Sequence, residues 1–86
     1  MKIENMEQVK QNVGKRVLFQ CKFDEKQMTG RIVFGETEDC EGDVVGYEEE
    51  CSVLYDSPSY VGATWYYIEE EDFFQDNILL FETIED

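Results

Sequence analysis

Two neighbouring runs alternate apolar and polar residues with a period of two, and that period constrains the fold of this chain more than any other feature. In the first run Val17, Phe19, Cys21 and Phe23 alternate with Arg16, Gln20 and Lys22, and in the second Met28, Gly30, Ile32 and Phe34 take every other place. Successive side chains of a strand point to opposite faces, so each run offers one apolar face and one polar face. Asp24 to Gln27 between them is polar, and the pair reads as a hairpin. Cys21 falls on the apolar face, where a free cysteine behaves as a small core residue.

The remaining segments extend this pattern. From Glu4 to Val13 the apolar residues Met6, Val9 and Val13 recur at helical spacing, with Gly14 placed to end a short N-terminal helix. Val44, Val45 and Tyr47 predict a third strand, and Cys51, Val53 and Tyr55 resume the alternation up to a turn from Asp56 to Gly62. Thr64 to Ile68 carries Trp65, Tyr66 and Tyr67 in succession, so both of its faces are aromatic. Glu69 to Phe74 predicts one helical turn with its acids at the favourable N-terminal end. Ile78 to Phe81 reads as a last strand buried on both faces, and the acidic end Thr83 to Asp86 is expected to fray. The expectation is a mainly β chain with a short N-terminal helix, α+β in class, forming an antiparallel small barrel or bent sheet of about five strands. With 42% hydrophobic residues in 86, residues 1–86 are read as a single domain.

Charge is divided along the chain. Residues 1–31 hold all seven cations against four acids, and residues 32–86 hold seventeen acids and no cation. Eight carboxylates lie between Glu36 and Glu50. A net charge of −14 repels itself in the folded state and contributes nothing to a core, so it points to a solubility role or to a basic partner. Cys21, Cys40 and Cys51 cannot all pair within one chain, and none stands in a Cys-x-x-Cys spacing, which suits a reducing cytoplasm. No signal-type segment and no apolar run long enough to span a membrane is present, so a membrane partner is not expected.

Several chemistries are disfavoured. With no histidine, the commonest general base is missing, and the acid pairs lie in exposed-looking runs rather than in an apolar pocket that would raise one pKa. The chain is therefore read as non-enzymatic, with no cofactor and no assigned metal. The acidic loop does partly match a calcium template, with Thr37, Asp39, Glu41, Gly42, Val44 and Glu48 at successive template positions, and a calcium-binding loop is kept as one alternative. Direct nucleic-acid binding is not expected, because a basic face is confined to Lys15, Arg16, Lys22, Lys26 and Arg31.

Val13-Gly14-Lys15-Arg16-Val17 with Phe19, followed by Thr29-Gly30-Arg31-Ile32-Val33, resembles the first two strands of SH3-like barrels of the Tudor and KOW kind. That resemblance implies binding of peptides, methylated side chains or nucleic acid. A cage for a cation is the matching alternative, and Tyr47, Tyr55, Trp65 and Tyr67 beside Glu48 to Glu50 are its candidates. In size and charge the chain is also similar to the small acidic proteins of phages and mobile elements that imitate DNA. A globule of this length is about 30 Å across, and duplex DNA of that length carries roughly eighteen phosphate charges. The principal expectation is therefore an acidic inhibitor that occupies the nucleic-acid-binding surface of a basic host protein, such as a restriction or CRISPR-type effector. Its docking face is expected to comprise Glu36, Glu38, Asp39, Glu41, Asp43, Glu48, Glu49, Glu50, Asp56, Tyr60, Glu69, Glu70, Glu71 and Asp72.

Overall fold

Asn5 starts the first helix, α1 (Met6–Gln11), by accepting the Gln8 amide on its side-chain oxygen at 2.9 Å. Asn12 ends it, through its own amide on the Val9 carbonyl and its side-chain amide on that of Gln8. The helix is shorter than the apolar spacing predicts because two asparagines, not Gly14, cap it. Val9 is its buried residue.

The computed structural model describes residues 1–84. After α1 come β1 (Arg16–Cys21) and β2 (Met28–Phe34), the hairpin the alternation predicts, with Val17 opposite Gly30 and Phe19 opposite Met28. A two-residue pair, β3 (Thr37–Glu38) and β4 (Val44–Val45), forms a separate small ladder. Then follow β5 (Cys51–Tyr55), β6 (Trp65–Tyr67), α2 (Glu70–Phe74) and β7 (Ile78–Thr83). The main sheet is antiparallel in the order β6-β5-β2-β1-β7, so the last strand returns beside the first. β6 and β7 lie at its two edges, and among the described residues they do not pair with each other.

One face of the sheet holds the core. Val17, Phe19 and Cys21 of β1, Ile32 of β2, Cys51, Val53 and Tyr55 of β5 and Phe81 of β7 meet Ile3, Val9 and Ile68 there. Phe19 is central: its ring lies 5.1 Å from Phe81, edge to face, 5.1 Å from Tyr66 and 6.3 Å from Tyr55. The opposite parity places Arg16, Leu18, Arg31, Leu54, Trp65 and Tyr67 on the outer face.

The last strand corrects one expectation. Ile78 to Phe81 is not buried on both faces: Leu79 is 59% exposed, because the register of β7 against β1 shifts at this point and β7 is an edge. That edge is covered further along, where Ile3 donates to the Phe81 carbonyl and Thr83 to that of Met1, each at 2.8 Å. Thr83 and Ile84 are thereby held in place, Ile84 through its amide on the Arg16 carbonyl at 3.0 Å. Glu85 and Asp86 lie outside the described residues.

Candidate functional site

β5 and β6 fix where the acidic segments meet. The parity of β6 sends Tyr66 into the core and Trp65 and Tyr67 to the outer face. Tyr47, from the loop after β4, packs against both, with ring centroids 5.3 Å from Trp65 and 4.7 Å from Tyr67. Tyr55, which sequence places with these rings, is instead in the core: it shares the parity of Val53 and packs near Phe19. The outer aromatic group is therefore Tyr47, Trp65 and Tyr67.

Carboxylates from three separate segments border this group. Ser52 pairs with Tyr67, so Glu50 and Glu69, each two residues away on its own segment, lie at the same end of the ladder. The Tyr67 phenol is pushed above its usual value, first by partial desolvation and then by the charges of Glu50 and Glu69. Two acidic runs far apart in sequence thus converge on one ring. At the other end of β6, the Thr64 hydroxyl lies 3.4 Å from Asp39 Oδ2. Asp39 also organises its own loop, since its Oδ1 accepts the Glu41 amide at 2.9 Å and the Asp43 amide at 3.0 Å. Both of its oxygens are thus engaged within the chain, and among the described residues no group of three or more Asp, Glu, Cys or His side chains is gathered in a way that would hold a metal ion.

The expected docking residues divide into those that are free to meet a partner and those used by the fold. Glu36, Glu38, Glu41, Asp43, Glu48, Glu49, Glu69, Glu70 and Glu71 are exposed, and Asp39 and Glu50 are partly so. Among the described residues none of these meets a lysine or arginine within ion-pair distance. Tyr60 is 66% exposed on the β5–β6 loop, beside exposed Val61. Ser59 holds that loop, with its hydroxyl on the Ala63 amide and its own amide on the Ala63 carbonyl.

Asp72 is a correction. It is 5% exposed and cannot face a partner, because its carboxylate accepts the Tyr66 hydroxyl, the Asn77 side-chain amide and the Glu69 main-chain amide. Asp56 stays exposed but is committed elsewhere. Arg16 grips it with two hydrogen bonds, at 3.0 and 2.5 Å, and the Thr29 hydroxyl donates at 2.7 Å. Arg16 and Arg31 stand opposite each other across β1 and β2, so Asp56 offsets a like-charge pair on the outer face of the sheet.

The Arg16 hydrogen bond, followed by that of Thr29, holds the Asp56 carboxyl below its ordinary pKa. A lowered folded value means that the stabilisation is present above the unfolded range, near pH 4, and is lost as pH falls through the folded value. For an exposed pair the contribution is about 0.5–1 kcal/mol. Asp56→Asn is expected to melt about 2–6 °C below the parent near neutral pH, with the gap closing in acid. Paired thermal melts across the acid range check this, and a gap that stays constant would refute the assignment.

Sequence reasoning missed two features of the site. The junction of Asp39 with β6 has no local signal, since it joins residues 25 apart. The open edge of β6 was signalled only by three aromatics in a row on a short strand. No protein-family model matches the chain, and no curated protein or solved structure matches it either.

Proposed function

We propose that this chain is a non-enzymatic acidic binding protein that docks on the basic, nucleic-acid-binding surface of another protein and takes the place of DNA there. The observation that carries this reading is the convergence of carboxylates from Asp39, Glu50 and Glu69 around the β6 aromatics, with no lysine or arginine paired to them among the described residues. Unpaired carboxylates remain available to the arginines and lysines of a target, which bind them as they bind phosphate. The molecule measures 31 × 28 × 27 Å, which spans about one helical turn of duplex DNA and so roughly eighteen phosphate charges. Exposed Tyr60 and Val61 supply apolar contact beside the charge. A restriction or CRISPR-type effector is the class of target this chemistry fits.

The finer fold reading belongs to the same proposal. A meander whose last strand lies beside its first, entered through one helical turn, supports an SH3-like small barrel, opened here between β6 and β7. Three free cysteines, two of them buried, suit the cytoplasm. Among the described residues no helix is long and apolar enough to cross a membrane.

A second reading is favoured by a specific observation. Tyr47, Trp65 and Tyr67 with Glu50 form an aromatic and acidic group of the kind that holds a methylated lysine or arginine. One experiment separates the two. The immobilised chain is expected to retain a nucleic-acid-binding protein from a bacterial lysate at low salt, and to release it to duplex DNA or to raised salt. Glu48→Lys with Glu49→Lys should lower retention about tenfold. Retention that ignores salt and DNA but fails in Trp65→Ala would replace the mimic by the cage.

A further inference from the structure

The two edges of the sheet are treated differently. β7 is blunted by its register shift and by the main-chain bonds it makes to Met1 and Ile3. Among the described residues β6 has no such main-chain cover. Tyr55 donates to the Thr64 carbonyl at 2.9 Å and Ile68 donates to the Cys51 carbonyl at 3.1 Å, so residues 64, 66 and 68 turn their main-chain groups toward β5. In an antiparallel pair the alternate residues, Trp65 and Tyr67, then point their N–H and C=O groups away. Among the described residues no main-chain bond reaches either of them from another segment.

We infer that β6 accepts an extended basic segment of the partner protein as an added antiparallel strand, pairing with the main-chain groups of Trp65 and Tyr67. This rests on the acidic-docking reading above and names the part of the partner that it engages. Side chains of an added strand lie about 5 Å from their cross-strand neighbours, so every second residue would sit against Trp65 or Tyr67. At those places it would meet aromatic faces, with Asp39 at one end of the strand and Glu50 and Glu69 at the other. Arginine or lysine fits both features at once, as a cation over a ring and as the partner of a carboxylate. A second copy of the chain fits poorly. Antiparallel pairing of two β6 edges would place Asp39, Glu50 and Glu69 of each molecule near those of the other, on chains that each carry −14.

The test uses the full chain and two synthetic peptides. One is a capped peptide of about ten residues with arginine and threonine alternating, and the other is the same peptide N-methylated at alternate amides, which keeps the charge and removes the donors along one edge. Binding of the first is expected at low salt, with exchange of the Trp65 and Tyr67 amide protons slowed about tenfold or more, while the methylated peptide binds about tenfold more weakly. Tyr67→Pro, checked for folding by its thermal melt, should show the same loss. Equal binding of both peptides would overturn strand addition and leave acidic docking standing. Failure of both to bind would overturn strand addition together with the acidic reading. Concentration-dependent self-association that protects the same two amides without peptide would assign the edge to a second copy and also overturn the proposal.

Discussion

Alanine at Gly30 is expected to lower the melting temperature by roughly 10–20 °C, an effect of about 2–3 kcal/mol in a domain of this size. Gly30 lies in the middle of β2, between Val17 of β1 and Tyr55 of β5. A Cβ built on it would overlap the Leu54 carbonyl oxygen, and would sit 3.0 Å from the Leu54 carbonyl carbon and 3.1 Å from Val53 Cγ1. Two of these three atoms are main chain, so relief requires β5 to move, not a side chain to rotate. Such movement would strain the β2–β5 register that places Val53 and Tyr55 in the core and, through β6, the outer aromatic group. Gly42 provides the comparison. It has a φ of +85° and open space around it, so Gly42→Ala costs only the left-handed backbone penalty of about 1 kcal/mol. Equal melting temperatures for the two variants would mean that the close approach of β5 to β2 does not constrain the fold.

Gly30 also shows what a linear reading can reach. Its place in the alternating run was visible, and so was the strand. That the missing side chain is replaced by a carbonyl of another strand was not, because Leu54 lies on a segment whose register nothing local specifies. The alternating strands β1 and β2 were legible for the reason that one face of each is buried, whereas β5 buries Ser52 as well as Cys51, Val53 and Tyr55. β3 was not, since Thr37 and Glu38 sit in an acidic run and pair over only two residues with Val45 and Val44. The site divides in the same way. The acid-rich segment from Glu36 to Glu50 was plain from composition, whereas its meeting with Glu69 at Tyr67 is a product of the β5–β6 ladder. Tyr55 and Trp65 both looked like cage residues, but Tyr55 shares the parity of core residue Val53 while Trp65 pairs with Leu54 on the outer face. Arg16 and Asp56, 40 residues apart, are neighbours only once β1, β2 and β5 are aligned.

The acid that sequence could least have separated from its neighbours is Asp72, and its loss is expected to be the more damaging of the two substitutions. Glu69 to Asp72 reads as four equivalent acids, yet α2 turns the first three to solvent and the fourth inward. Asp72 Oδ2 accepts the Glu69 amide at 2.9 Å at the start of α2, and the Asp72 amide donates to the Glu69 carbonyl at 3.0 Å in return. Its Oδ1 accepts the Asn77 side chain at 2.8 Å and the Tyr66 hydroxyl at 3.1 Å. One carboxylate therefore joins the helix start to β6 and to the residue before β7. Asp72→Ala leaves three donors without their acceptor in a buried place, where each unsatisfied group costs about 1–3 kcal/mol, so a total of roughly 3–5 kcal/mol and a fall of about 15–30 °C in melting temperature are expected. Asp72→Asn keeps the shape but places an amide donor among donors, and should recover only part of the loss. Alkali gives an independent readout of the same network. Desolvation, and then the Asp72 charge, push the Tyr66 phenol up, and desolvation does the same for Tyr55. A raised folded value means that stability is intact below the unfolded phenol range, near pH 10, and falls as pH rises beyond it. For the binding face the consequence is a separation of effects: at a temperature where Asp72→Asn is folded, its affinity for a basic partner should match that of the parent, whereas Glu69→Lys should keep the melting temperature within a few degrees and weaken binding about tenfold. An Asp72→Asn protein that melts like the parent yet binds less well would return this residue to the docking face and refute its structural role.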